Sequence, residues 1–317
     1  MQIFHSIQEI HASFGPSVAT IGNFDGMHRG HQAVVKEVIA RAHSLHARSV
    51  AVTFEPHPVR VVRPQIPLRL ITQLDQKLGL LAQTGIDATL VLPFTHALSR
   101  MTAREFADNI LSAALHAVEV HEGENFRFGA DAGADVRELS SLGKEFGFTV
   151  RVHSATERRG TVVSSSAVRS AISAGDMRAA RQLLGRPFEI VSTPAPGRGY
   201  GSRYTVPTIN LAPYKELLPA NGVYITCIEF NGEQFQSVSN VGNRPTFGPE
   251  SFAVETHILN FHPVSLDAST QLQLRFLDRI RAEIAWPSPE ALKRQIAKDV
   301  ARAQHYFALL EALLSRG

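Results

Sequence analysis

One stretch, Val18 to Gln32 (VATIGNFDGMHRGHQ), restricts the fold more than any other. Val18, Ala19, Thr20 and Ile21 read as a strand. They run into a loop holding Gly22, Gly26 and Gly30, and a helical pattern opens at Gln32 (QAVVKEVIARA). Strand, glycine-bearing turn and helix N-terminus make an anion site, because the first amides of a helix lack intrahelical acceptors and its dipole favours negative charge there. His28 and His31, three residues apart, share one face of the first turn. Gly30 between them leaves room for a ligand near the backbone. Two imidazoles with amide donors can hold a triphosphate and stabilise charge developing at an attacked phosphorus. His28 and His31 are therefore the candidate catalytic pair, and Gly22, Phe24, Asp25 and Gly30 the candidate nucleotide contacts. A lone histidine is more often structural, and the dinucleotide fingerprint G-x-G-x-x-G is absent. What restricts the reading is the HxGH pairing directly after a strand and the string GNFDG.

At 317 residues the chain has room for two domains with full cores. A net charge of +3 is too mild to call for a nucleic-acid partner. The single cysteine, Cys227, excludes an intramolecular disulfide and a cysteine-built zinc cluster. No apolar run is long enough to span a membrane and no signal peptide is legible, so the expected location is cytoplasmic.

Along the first half, a short helical pattern over 1–17 precedes the opening strand. Further strands are expected at Ser49–Phe54, Ala88–Phe94, Ala117–His121 and Phe148–Val152. Helices are expected at Leu74–Thr84, from Thr102 (with Glu105 completing a capping box), and at Val136–Phe146. This alternation predicts a parallel α/β sheet with ligands at the carboxyl ends of its strands. Gly123 to Gly129 (GENFRFG) follows such an end, and its two aromatics and amide make Asn125, Phe126 and Phe128 candidate ligand contacts. Val162 to Arg169 sets Ser164 and Ser165 at a helix start, with Arg169 one turn inside. Hydroxyls, amides and guanidinium there can bind phosphate, although an N-cap with a surface arginine is the plainer reading.

Composition changes at Pro187. Beyond it, β-branched strands and Gly/Pro/Asn turns predict an antiparallel sheet or small barrel. The stretch Pro194 to Tyr204 is a glycine-bearing basic loop able to cover phosphates, with Gly197 and Gly201 as candidates; it reads equally as a linker. Pro207-Thr208-Ile209-Asn210 follows. Thr208 and Asn210, two apart on an extended segment, point to one side, where hydroxyl and amide oxygen can ligate Mg²⁺. Glu255, on the apolar strand Phe252–Phe261, is costly there unless used or paired. Leu292, Ile296, Val300, Ala303 and Phe307 mark one apolar face of a terminal helix expected to pack on the barrel.

GNFDGMHRGH, TFEPHP, GENFRFG, SSSxxR (residues 164–169, with Ser166 where threonine is usual) and PTxN, in this order, resemble the bacterial bifunctional riboflavin kinase/FAD synthetase family along essentially the whole chain. The resemblance implies an α/β Rossmann-like nucleotidylyltransferase domain over 1–186 and a small antiparallel riboflavin kinase-like β-barrel with a C-terminal helix over 187–317. It implies phosphorylation of riboflavin to FMN and adenylylation of FMN to FAD, with ATP and Mg²⁺, and small-molecule partners only. Glu255 would be the kinase's general base, Thr208 and Asn210 its metal ligands, and Gly197, Gly201 and Pro207 nucleotide contacts. The family usually carries Gly-Phe before PTxN, where this chain has Thr205-Val206, and an Arg near Ala132; Asn125 is often acidic in other members. The changed loop leaves room for an FAD synthetase with a non-catalytic flavin-binding second module. A flavin-binding regulator, or a transferase for another phosphorylated alcohol, fits the intact motifs less well.

Overall fold

The computed structural model describes residues 1–195, 208–243, 252–259, 266–284 and 286–315. They fall into two compact units, Met1–Ser165 and Ser166–Gly317.

The first unit holds six parallel strands: β1 (Gln2–Phe4), β2 (Ser17–Ile21), β3 (Arg48–Glu55), β4 (Ala88–Pro93), β5 (Ala117–Gly123) and β6 (Thr149–His153). Their order is β1-β4-β3-β2-β5-β6, so successive strands leave β2 in opposite directions and the switch point lies between β2 and β5. Every residue of β2 is buried, as a central parallel strand covered on both faces requires. Its odd and even residues part company. Val18 packs with Val38 and Ala42 of α1 (Arg29–Ser44), while Ala19 and Ile21 join a larger core on the other face. Short helix α2 (Pro58–Val62) and helix α3 (Leu74–Ala82) follow β3, and α4 (His96–Ser99) and α5 (Ala103–Phe106) follow β4. Leu81 of α3 adds to the α1-side core with Phe24, Met27 and Val35. The expected capping box at Thr102 is present: the Glu105 amide donates to Thr102 Oγ1, and Glu105 Oε2 accepts from the Thr102 amide.

Two local expectations change. The chain opens with a strand rather than a helix, because Gln2, Ile3 and Phe4 extend the sheet beside β4; only Phe4 is buried, which leaves almost no periodic signal. The helix after α5 runs on as a π-helix over Ala107–Ala114, with Ile110 and Leu111 still buried. Helix α6 (Val136–Phe146) has the expected bounds. A two-stranded ribbon, β7 (Glu157–Arg158) and β8 (Thr161–Val162), completes the unit.

The second unit opens with α7 (Ser165–Ala174) and α8 (Met177–Leu184). The change in composition at Pro187 and the packing division at Ser165 thus mark different things. Gly175, between the two helices, has φ +77°, and a Cβ there would meet Tyr224 and Arg279 at 2.9–3.0 Å. Arg279 donates to the Ala174 carbonyl (3.3 Å), and Arg178 pairs with Asp278 (2.5 Å).

Six antiparallel strands follow: β9 (Phe188–Ser192), β10 (Thr208–Asn210), β11 (Gly222–Phe230), β12 (Glu233–Asn243), β13 (Phe252–Ile258) and β14 (Leu272–Ala282), ordered β10-β13-β12-β11-β14-β9. Just past β9, an antiparallel bridge joins Pro194 to Leu211. Hydrogen bonds from the Ala195 amide to the Asn210 carbonyl (2.9 Å) and from the Ala212 amide to the Thr193 carbonyl (2.8 Å) flank it, so the two edges of the sheet meet. The long terminal helix α9 (Pro289–Leu314) packs Val300, Ala303 and Phe307 on Val223, Ile225, Cys227 and Val238. Leu292 and Ile296, expected on that face, are 40% and 45% exposed. Asp299 instead takes the buried place, accepting from Arg281 (2.8 Å) and Gln295 (2.9 Å). No helix among the described residues is long and apolar enough to cross a membrane.

Candidate active site

The loop after β2 is held by specific contacts rather than by flexibility. Asp25, 2% exposed, accepts from the Ile71 and Thr72 amides through Oδ1 (2.9 and 3.0 Å). The Gly26 amide donates to Thr72 Oγ1 (3.0 Å), and the Ser165 hydroxyl donates to the Asp25 carbonyl (2.9 Å). Phe24 and Met27 are buried with left-handed φ of +47° and +39°. Such non-glycine backbone costs on the order of 1–3 kcal/mol per residue, and it persists because the surroundings leave no alternative. Gly26, at φ +83°, faces Ile71 so closely that a Cβ would lie 3.1 Å from it. Asp25, expected as a nucleotide contact, thus spends at least one carboxylate oxygen on the loop.

His28 caps α1 with its own ring: Nδ1 accepts the His31 amide hydrogen (3.3 Å). In the neutral ring this places the proton on Nε2, as a donor. His28 and His31 stack with ring centroids 3.6 Å apart and planes 17° from parallel, and Phe24 meets His31 edge-on at 5.2 Å. Gly30 has a reason the sequence does not show. A Cβ there would come within 3.2 Å of the His28 ring, so the absent side chain makes room for His28 itself. Burial, then the His28 imidazole, then the Lys77 ammonium hold the His31 pKa well below the usual imidazole value. His31 Nδ1 is buried and has no hydrogen-bond partner among the described residues. The result is a stacked pair of imidazoles at a helix N-terminus, His31 held toward its neutral form with a buried Nδ1 to offer, an arrangement suited to phosphate oxygens.

The first unit also holds two buried groups, on α3 and at the end of β5, that the sequence did not single out. Lys77 of α3, 4% exposed, donates to Thr53 Oγ1 (3.3 Å), and Thr53 Oγ1 donates to the Asn23 carbonyl (3.4 Å). Glu122, 3% exposed at the end of β5, accepts from the Ile21 amide (2.6 Å). The carboxylate takes a bond that a backbone ladder would otherwise supply, at the switch point. Burial raises its pKa well above the carboxylate range, against the Ile21 amide and the Thr20 hydroxyl. Lys77 sits inside an ordinary amphipathic pattern and Glu122 continues a strand, so no motif flags either one.

In the loop after β5, the Phe126 and Phe128 rings stack (centroids 5.4 Å), and Phe128 meets Phe106 at 6.0 Å. Phe128 is buried; Phe126 is half-buried and Asn125 exposed. Ser164 directly precedes α7 and Ser165 opens it, with Arg169 one turn further along the same helix.

In the second unit the register brings the predicted kinase residues together. Asn210 of β10 faces Glu255 of β13, which faces Asn240 of β12; Thr208 and Val238 flank His257 in the same way. Facing residues of this kind stand about 4.5–5.5 Å apart at Cβ and share one face of the sheet. Asn240 belongs to this row although nothing in its sequence context marks it. Thr208, Asn210 and Glu255 offer oxygen donors only, which suits a hard cation such as Mg²⁺ with phosphate oxygens completing its shell. Gly197, Gly201 and Pro207 lie outside the described residues.

Comparison with known proteins agrees with both halves. Residues 10–167 match the FAD synthetase family and residues 184–307 the riboflavin kinase family. The chain is 36% identical over 306 residues to a bifunctional riboflavin kinase/FMN adenylyltransferase of Pseudomonas fluorescens, covering 96% of this chain and 97% of that protein. It is 33% identical to the protein of the same name from Escherichia coli K12, covering 92% and 93%. A crystal structure titled as a macrolide-efflux protein from Streptococcus pneumoniae shares the fold, with a TM-score of 0.86 at 25% identity over 95% of this chain and 98% of that one. With both halves matched in order and the stacked histidine pair in place, the chain belongs to the bifunctional riboflavin kinase/FMN adenylyltransferase family.

Proposed function

We propose that residues 187–317 phosphorylate riboflavin to FMN with ATP, and that residues 1–186 adenylylate FMN to FAD with release of pyrophosphate. The observation that carries the second activity is the stacked His28–His31 pair at the N-terminus of α1 beside the β2/β5 switch point. An FMN phosphate oxygen attacks the α-phosphorus of ATP. The new P–O bond forms as the bond to the bridging oxygen breaks, and pyrophosphate leaves with that electron pair. No covalent intermediate with the enzyme is needed. The donors of His28 and His31 and the amides of α1 bind the phosphate oxygens, with Ser164, Ser165 and Arg169 as further phosphate ligands, so catalysis rests on positioning and charge stabilisation. Gly22 and Phe24 shape the nucleotide side of the loop; Asn125, Phe126 and Phe128 receive the flavin.

In the kinase reaction the ribityl hydroxyl attacks the γ-phosphorus while Glu255 accepts its proton and ADP departs. The Thr208 hydroxyl and Asn210 amide oxygen would hold Mg²⁺, which would supply charge neutralisation at the transferred phosphoryl group. Gly197, Gly201 and Pro207 are the proposed cover over the nucleotide. With no legible signal peptide and no described helix apolar enough to cross a membrane, the proposed location is the cytoplasm.

Chromatography of the products formed from riboflavin, ATP and Mg²⁺, beside a reaction begun from FMN, tests the reading. FAD from both supports two active modules. FAD from FMN alone assigns the second module a flavin-binding role without phosphorylation. No product from folded protein overturns the proposal in favour of a flavin-binding regulator.

A further inference from the structure

Where β2 and β5 part, a side chain stands in for the backbone ladder. Their parallel pairing ends at Ala19 and Val120, two residues before β2 itself ends. The Ile21 amide donates instead to Glu122 Oε1 at 2.6 Å, and Glu122 is 3% exposed. The next amide turns the other way: Gly22 donates to the Val52 carbonyl of β3 (2.9 Å). On that same side the Thr53 hydroxyl donates to the Asn23 carbonyl (3.4 Å). The root of the histidine loop is thus tied to β3 at the backbone and to β5 through the Glu122 carboxyl. From this root, contacts run to the histidines. The Phe24 ring lies over Gly22, where a Cβ would sit 3.4–3.5 Å from it, and meets His31 edge-on at 5.2 Å. His31 in turn stacks on His28.

We propose that Glu122 is a positioning residue for adenylyl transfer: its side chain is a spacer that lets β2 and β5 diverge at the switch point, fixing Gly22 and, through Phe24, the place of His31. In an open α/β sheet the ligand enters the crevice at this point, outside the carboxyl ends of the strands. Strands paired through the backbone lie roughly 4.8 Å apart. A glutamate reaching across from its own strand makes a longer bridge than a carbonyl does, so the strands separate without leaving the Ile21 amide unpaired in the interior. A buried carboxyl costs stability that an apolar residue at the same place would not, which a spacer role explains. With the bridge shortened or removed, the ladder closes past Ala19 or the amide loses its partner, and both displace Gly22. The ligand that this crevice would take is the ATP of the adenylyl reaction.

This rests on the adenylyltransferase reading, and the test keeps the two separate. Three variants divide reach from charge. Glu122→Gln keeps the reach and an oxygen acceptor, Glu122→Asp keeps the charge but is one methylene short, and Glu122→Leu keeps the bulk without an acceptor. Exchange of the Ile21 amide with deuterium, followed by NMR without substrate, stays slow in Glu122→Gln. It quickens by roughly 10- to 100-fold in Glu122→Asp and Glu122→Leu, the scale of leaving a buried amide without its partner. In those two variants KM for ATP in FAD formation from FMN rises more than kcat falls, while FMN formation from riboflavin keeps the wild-type rate; Glu122→Gln restores the ATP KM. Wild-type exchange or a wild-type ATP KM in Glu122→Asp overturns the proposal, and so does a Gln variant as impaired as the Asp one. Should Glu122→Leu fail to fold, the Gln and Asp variants decide alone. Absence of FAD formation by the wild type defeats the adenylyltransferase reading; Ile21 exchange and ATP affinity by calorimetry then decide the role of Glu122, and equal values in wild type and Glu122→Asp overturn it.

Discussion

His28 and His31 work as one unit, since each is held by the other: the amide of one meets the ring of the other, and the two rings stack. His31→Ala removes the stacked ring and its reserve of polar atoms. It is expected to abolish FAD formation from FMN, a loss of at least ~10²-fold on the scale of removing one stabilising donor, and to leave FMN formation from riboflavin intact; the two rates measured on one preparation check this. Loss of both activities in folded protein would contradict the modular assignment. Glu255→Gln should do the reverse, because the amide keeps the size of the carboxylate but cannot accept the ribityl proton. A kinase rate equal to wild type would remove Glu255 as the base. At this scale the sequence was informative wherever residue types fall in a fixed local spacing, as in HxGH and PTxN. It was silent on Lys77, Glu122 and Asn240, whose environments are made by strands and helices distant in the chain.

At the scale of elements, most strands and helices were legible because their apolar periods are long and their caps explicit, as at Thr102 and over Val136–Phe146. The exceptions have physical causes. β1 is too short for a period, and the π-helix keeps its apolar face while its hydrogen bonding changes register. In α9 a polar residue displaced the apolar stripe. Asp299 is buried against Arg281, and Leu292 and Ile296 stay largely exposed. Asp299→Ala leaves the half-buried Arg281 guanidinium without its carboxylate. This should destabilise the second unit by about 1–3 kcal/mol, the usual cost of leaving such a hydrogen-bonding group without its partner. Thermal unfolding followed by kinase activity measures it, and a melting temperature within a degree of wild type would show that the pair adds nothing.

For the molecule as a whole, two carboxylates of β5 give stability opposite dependences on pH. Glu119 accepts from Arg41, whose guanidinium first of all holds its pKa down to about 2, so its contribution is present above the ordinary value of 4.5 and is lost as pH falls toward 2. The Glu122 pKa is raised by burial. Its contribution is complete below 4.5 and is lost as pH rises through its higher folded-state value. Glu122→Gln keeps an acceptor for the Ile21 amide without the titration, so wild type should lose melting temperature relative to this variant as pH rises above 5. Superimposable melting curves across that range would contradict a buried, proton-binding Glu122. The sequence by itself determined the class of both units, the order of their motifs and the local geometry at the start of α1, since these follow from period, capping and spacing along the chain. Only the tertiary structure decided which strands adjoin, that the edges of the second sheet meet at Pro194 and Leu211, that α7 and α8 pack with the second unit, and that Lys77 is buried on Thr53. Each of these depends on contacts between segments far apart in sequence, for which no short-range pattern exists.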